Sequence, residues 1–136
     1  MSMTYVVWLD DRGGISFGGR RLSRDRVLTA RLNERLAGVA RLCSPYTGRV
    51  YGTADTTLTE DPACRVEGAA YLVETFDPTP YLRAGDCLLV YRFGRTYPFD
   101  CRLTLDLAAL TPVSRTELVG HSHPSLVEEL YVLPLT

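Results

Sequence analysis

The feature that most restricts what this chain can fold into is Tyr5-Val6-Val7-Trp8-Leu9, an apolar run without a break, closed by Asp10-Asp11-Arg12-Gly13-Gly14. Apolar and polar residues alternating would mark a strand with one wet face. An unbroken run marks a strand buried on both faces. Such a strand needs a layer on each side of its sheet, which points to an α/β architecture. Ala69-Ala70-Tyr71-Leu72-Val73 and Asp86-Cys87-Leu88-Leu89-Val90-Tyr91 have the same character and read as two further central strands.

Between the first run and the next lies a long glycine-studded loop through Gly18-Gly19-Arg20-Arg21, followed by Ser23, a good helix N-cap. Val27, Leu28, Leu32 and Leu36 then form one stripe of a helix that Gly38 closes. Val39 to Cys43 fits a buried strand, so the chain opens with a β-loop-α-β unit and a right-handed parallel crossover. Ser44-Pro45 starts a turn or short helix through Tyr51, and residues 52–66 read as loops with one or two short edge strands. Pro78 and Pro80 permit only a short helical turn. Cys101, Leu103, Leu105 and Leu107 alternate with polar residues, predicting a half-exposed antiparallel strand. Pro112–Leu118 and Leu126–Leu133 supply two more strands, although Ser125–Leu130 equally suits a helical turn.

With 136 residues, 46% of them apolar, the chain forms one core and one domain spanning 1–136. Its four cysteines, Cys43, Cys64, Cys87 and Cys101, include no C-x-x-C pair and read as buried free thiols. No apolar run approaches the ~20 residues that span a bilayer, and the N-terminus lacks a basic leader, so the expected location is the cytoplasm. All 15 basic residues are Arg, yet the formal net charge is −1. That balance carries no nucleic-acid footprint.

Arg20, Arg21, Arg24 and Arg26 surround the expected helix start, where backbone N–H groups favour anions. Either an anion docks there or the arginines form a solvated face balanced by Asp10, Asp11 and Asp25. Arg92 and Arg95 follow a buried strand, the end at which ligands bind in such sheets. His121 and His123 would share one face of a strand, as two metal ligands do, but no third ligand is evident and loop histidines commonly bond locally. No Ser-His-Asp or Cys-His arrangement, Walker loop or dinucleotide fingerprint can be argued from the spacing.

In order, three segments resemble the dihydrofolate reductase family: Trp8-Leu9-Asp10-Asp11 with Gly13-Gly14-Ile15 and Leu22-Ser23-Arg24-Asp25; Tyr71 to Phe93; and Thr96-Tyr97-Pro98 through Ser122-His123 to Glu129-Leu130-Tyr131. The resemblance implies an α/β, reductase-like mixed sheet, mostly parallel, with an antiparallel C-terminal part and few flanking helices. It sets Asp25 where the family carries its catalytic carboxylate, a role competing with that of an ordinary first-turn acid. It also exposes departures. Val73 and Glu74 stand in place of the Gly-Gly pair that lets backbone approach a pyrophosphate, Ser44-Pro45-Tyr46-Thr47 offers no cation, and Tyr91 replaces a supporting Thr. The expectation is therefore no NADPH, no bound cofactor and no dihydrofolate reduction.

Ile15–Val27 and Tyr91–Pro98 are also similar to small bacterial proteins, some labelled ribonuclease Z. That activity needs a His-x-His-x-Asp-His run, and here Ser125 and Leu126 follow His121-Ser122-His123 at the required positions. The leading expectation is a diverged reductase-like domain binding a small anion or a protein partner through Arg20, Arg21, Arg24, Asp25, Arg92 and Arg95. A metal-assisted hydrolase using His121 and His123 is the alternative, and a homodimer paired through an antiparallel edge strand is a third.

Overall fold

A computed structural model describes residues 2–134. The elements run β1 (Thr4–Leu9), β2 (Gly14–Phe17), β3 (Arg20–Arg21), α1 (Arg26–Arg35), β4 (Arg41–Cys43), α2 (Pro45–Tyr51), β5 (Thr56–Leu58), β6 (Ala70–Val73), β7 (Cys87–Arg92), β8 (Cys101–Arg102), β9 (Ser114–Leu118) and β10 (Leu126–Val132). Single 3₁₀ turns occupy Thr79–Tyr81 and Leu107–Ala109. Seven strands form one sheet in the order β5-β4-β6-β1-β7-β10-β9, while β3-β2-β8 make a small second sheet. β1 lies between β6 and β7, parallel to both, and the ladder turns antiparallel only at β10 and β9. The mixed, mostly parallel α/β sheet with an antiparallel C-terminal part is thus present, and Leu126–Val132 is strand.

Alternate residues of the central strands feed two cores. Val6, Trp8, Leu72, Leu89 and Tyr91 face α1 and α2, meeting Leu28, Leu32 and Tyr51. Tyr5, Val7, Leu9, Tyr71 and Val90 face the other way, covered by Ile15 of β2, by Leu103 just after β8 and by irregular chain. This explains why β1 must be apolar throughout. All four cysteines are free thiols, but only Cys43 is fully buried. Among the described residues no helix is long and apolar enough to cross a membrane.

Two expected elements differ. The alternating stretch after Phe99 pairs only at Cys101–Arg102, against β2 rather than the main sheet. Thr104 leaves the ladder because its N–H and hydroxyl both donate to Asp77 Oδ2, at 3.3 and 2.5 Å, and Asp106 then caps a 3₁₀ turn. The glycine-studded loop, expected to be irregular, contains β2 and β3, joined by Gly18 and Gly19 at φ +58° and +74°, a left-handed turn that glycine adopts without strain.

Candidate functional site

Helix α1 begins two residues later than its sequence implies, and the reason creates the site. Asp25, not Ser23, is the N-cap: its backbone is extended and its carboxylate accepts from Val27 N–H at 2.9 Å. Ser23 is left outside the helix, with its hydroxyl 2.9 Å from His123 Nε2. His123 Nδ1 lies 2.8 Å from Asp25 Oδ2. A serine hydroxyl, an imidazole and a carboxylate are thereby joined in one line. The arrangement that spacing could not reveal is present in three dimensions, since His123 is 98 residues from Asp25.

The histidine arrives on the connection between β9 and β10. His121 N–H and Ser122 N–H donate to Asp25 Oδ1 and Oδ2 at 3.0 and 2.9 Å, and the Ser122 hydroxyl adds a contact to Oδ2 at 3.2 Å. Gly120 allows this approach: a Cβ there would come within 2.7 Å of Asp25 Oδ2 and 2.6 Å of the His123 carbonyl oxygen. Gly120 N–H closes the turn on that same carbonyl at 2.9 Å. Burial pushes the Asp25 carboxyl up, but the bonds from His121, His123, Ser122 and Val27 outweigh it and hold the group well below the usual carboxylate range. Asp25 is therefore an ionised acceptor with its lone pairs committed.

The third side comes from the chain after β7. Phe93 stacks on the His123 ring with centroids 5.4 Å apart, and the Tyr97 hydroxyl lies 3.1 Å from Nε2, sharing that nitrogen with Ser23. Asp10, at the end of β1, fixes this loop by accepting Tyr97 N–H at 3.0 Å. Arg95 donates to the Ser122 carbonyl at 2.9 Å. All these segments meet at the C-terminal end of the parallel strands, where open α/β sheets place ligands.

His121 and His123 do not act as a pair. His121 is exposed, His123 is buried, and the segment is a turn rather than a strand, so the shared-face geometry needed for two metal ligands is not formed. No group of three or more His, Cys, Asp or Glu side chains among the described residues is placed to hold a metal ion.

The expected arginine set divides. Arg21 turns inward to Glu74, donating from Nε and Nη2 at 2.8 and 3.0 Å, with its guanidinium 4.2 Å from the Tyr46 ring centre. The Thr47 hydroxyl donates to Glu74 at 2.9 Å. Arg92 lies on the opposite face of the sheet and pairs with Glu129. Arg20 is exposed at the β2–β3 turn. Arg24 joins Arg26 and Arg49, the last missed from sequence, around a groove of about 440 Å³ between α1 and α2, whose remaining walls are Thr29, Ala30, Asn33 and Val50.

No spacing or motif in the sequence points to Glu128. On β10, with its side chain 1% exposed, it accepts from Arg31 at 2.9 and 3.0 Å, from Arg35 at 3.2 and 2.9 Å, and from the Tyr91 hydroxyl at 3.0 Å. Burial raises its carboxyl, and the two guanidiniums and the phenol more than reverse that, leaving it below its ordinary value. Trp8 packs beneath α1, stacked on Tyr51 with ring centres 4.8 Å apart, and its Nε1 has no hydrogen-bond partner among the described residues. The deep part of the cleft between helices and sheet is thus occupied by the chain's own side chains.

Neither a protein-family model nor a curated protein matches this sequence. Among solved structures it is similar to dihydrofolate reductase from Enterococcus faecalis complexed with NADP(H) and RAB-propyl, with a TM-score of 0.64, 13% identity, and coverage of 96% of this chain and 95% of that one. That likeness shows a dihydrofolate reductase-like fold. The resemblance to proteins labelled ribonuclease Z has no family model behind it.

Proposed function

We propose that this domain uses the reductase scaffold without NADPH and binds a small anionic ligand in the groove between α1 and α2. The observation that carries this reading is the groove's lining. Three guanidiniums, Arg24, Arg26 and Arg49, border it with no carboxylate among its walls. None of the three takes part in an ion pair among the described residues. Arginines that border one groove without a counter-charge suit a carboxylate or phosphate, which a guanidinium binds bidentately.

The neighbouring pocket, at the ends of β4 and β6, disfavours NADPH. Glu74 and Glu60 both line that pocket, whose volume is about 230 Å³. A pyrophosphate entering it would meet negative charge, and the Arg21 guanidinium, which could offset this, is committed to Glu74.

Titration calorimetry with inorganic phosphate and with citrate tests the anion site. Binding should weaken at least about tenfold in Arg24→Ala and Arg49→Ala and fall with added salt. Binding unaffected by those substitutions would remove the reading. For the cofactor, saturating NADPH should leave the melting transition in place. A ligand at a hundred times its dissociation constant would stabilise the fold by about 2.7 kcal/mol, and a shift of that size would restore the cofactor.

A further inference from the structure

The geometry points to a second chemistry: we propose that Ser23 is an acyl-accepting nucleophile, with His123 as its general base and Asp25 holding the imidazole in place. Three observations support it. The Ser23 oxygen lies 2.9 Å from Nε2 and Asp25 lies 2.8 Å from Nδ1, so both links of a nucleophile–base–carboxylate chain are made at once. The carboxylate is ionised and acceptor-only, which places the imidazole proton on Nδ1 and leaves the Nε2 lone pair facing the serine. The orienting half of the chain, Asp25 and His123, is buried, while Ser23 is only half-buried.

A purely structural clip would need none of this polarity. Asp25 already caps α1 and anchors the β9–β10 turn through backbone N–H groups, and an apolar residue at 123 could stack on Phe93 equally well. The imidazole adds a directed acceptor aimed at two hydroxyls. One in-plane lone pair takes only one strong hydrogen bond, so with Ser23 on Nε2 the Tyr97 hydroxyl is available to donate to a substrate carbonyl oxygen.

The reaction is acyl transfer from an ester to water. Ser23 Oγ attacks the ester carbonyl, and its proton passes to His123 Nε2. The tetrahedral adduct collapses, the C–O bond to the alcohol breaks, and Nε2 returns the proton to the departing alkoxide. Water then attacks the seryl ester by the same route, releasing the carboxylic acid and restoring the Ser23 hydroxyl. No metal, oxidant or reductant takes part. A preference for esters carrying a carboxylate follows from Arg24 and Arg26, which flank Asp25 in the chain. That preference rests on the anion-binding reading above, whereas the acyl chemistry does not.

The test uses the whole chain with a fluorophosphonate reagent, followed by peptide mass analysis, and with two chromogenic esters, 4-nitrophenyl acetate and mono-4-nitrophenyl glutarate. The expected result is one phosphonyl group on the peptide containing Ser23, with release of 4-nitrophenol. Both should be lost in Ser23→Ala and slowed by about a hundredfold or more in His123→Gln. Ser23→Ala should keep the parent's far-ultraviolet dichroism and cooperative melting, since it removes one oxygen at a half-buried position. Should His123→Gln fail to fold, the comparison of Ser23→Ala with the parent decides the matter alone. An unlabelled folded parent, or equal labelling and hydrolysis in Ser23→Ala, overturns the proposal. Labelling of Ser23 with equal turnover of the neutral and anionic esters upholds the serine chemistry and removes the anionic preference.

Discussion

Asp25→Asn separates the capping role of this residue from its grip on the histidine turn. Asn caps helices about as well as Asp, so the bond to Val27 N–H survives with the amide oxygen at the Oδ1 position. His121 N–H keeps the same acceptor. The amide NH₂ then occupies the Oδ2 position, where Ser122 N–H now points from 2.9 Å and His123 Nδ1 from 2.8 Å. Each hydrogen bond to a charged acceptor contributes about 1.5–3 kcal/mol and a neutral one about 0.5–1.5 kcal/mol. Two weakened bonds and one donor left without an acceptor therefore cost about 3–5 kcal/mol, a large share of the ~5–15 kcal/mol available to a domain.

The assay is urea unfolding followed by tryptophan fluorescence. With a slope near ~2 kcal/mol per molar urea, the midpoint should fall by about 1.5–2.5 M. A second consequence is qualitative. The amide NH₂ favours the tautomer with a bare Nδ1, moving the imidazole proton to Nε2, so Ser23 loses its base even where the fold persists. A midpoint shift below about 1 kcal/mol in free-energy terms would show that the turn does not depend on the Asp25 charge, and the reasoning about the site would fall with it.

Glu128→Ala should cost about 2–3 kcal/mol by urea unfolding: Arg31 and Arg35 are about a third exposed and regain water, so the loss is mainly that of the buried Tyr91 hydroxyl left without its acceptor. Tyr91→Phe together with Glu128→Leu should recover part of that loss, since no buried polar group is then orphaned. Gly120→Ala should speed hydrogen exchange at the His121 and Ser122 amides, because its Cβ would meet the Asp25 carboxylate and the His123 carbonyl, neither free to move aside. Stability should also fall with acid. Asp25 and Glu128 both have depressed folded-state values, so their contribution is complete above the unfolded carboxylate range near ~4 and is lost as pH falls below it, which acid titration of the melting temperature measures.

The sheet's centre was legible because burial on both faces leaves no room for polar residues in Tyr5–Leu9 or Leu88–Tyr91; the opening unit implied parallel pairing of β1 with β4, but β6 lies between them. Elements set by distant partners were not legible. β2 is four residues long and β3 two, and β2 is held by Cys101–Arg102, far along the chain. From sequence Ser23 reads as the cap of α1 and Asp25 as an acid of its first turn, whereas Asp25 is the cap. The choice is made by His123, His121 and Ser122, which hold Asp25 in the cap position and draw the Ser23 hydroxyl away from the helix. The arginines were visible as charge, but their division depended on Glu74 and Glu129, whose locations only the folded sheet defines.

Two buried carboxylates on the helix side of the sheet, Asp25 and Glu128, also limit what chemistry this scaffold can support. A carboxylate that donates a proton to a ligand must be able to hold one near neutrality, which requires burial without compensating donors. Here compensation is complete. Asp25 collects backbone N–H groups and an imidazole, Glu128 collects two guanidiniums and a phenol, and both are driven to the ionised form. Neither Asp25 nor Glu128 is therefore disposed to donate a proton to a ligand near neutrality. The same compensation makes Asp25 an effective partner for His123, because a carboxylate that stays charged fixes the imidazole tautomer. The hydrogen bonds that keep Asp25 from holding a proton are those on which the serine proposal depends.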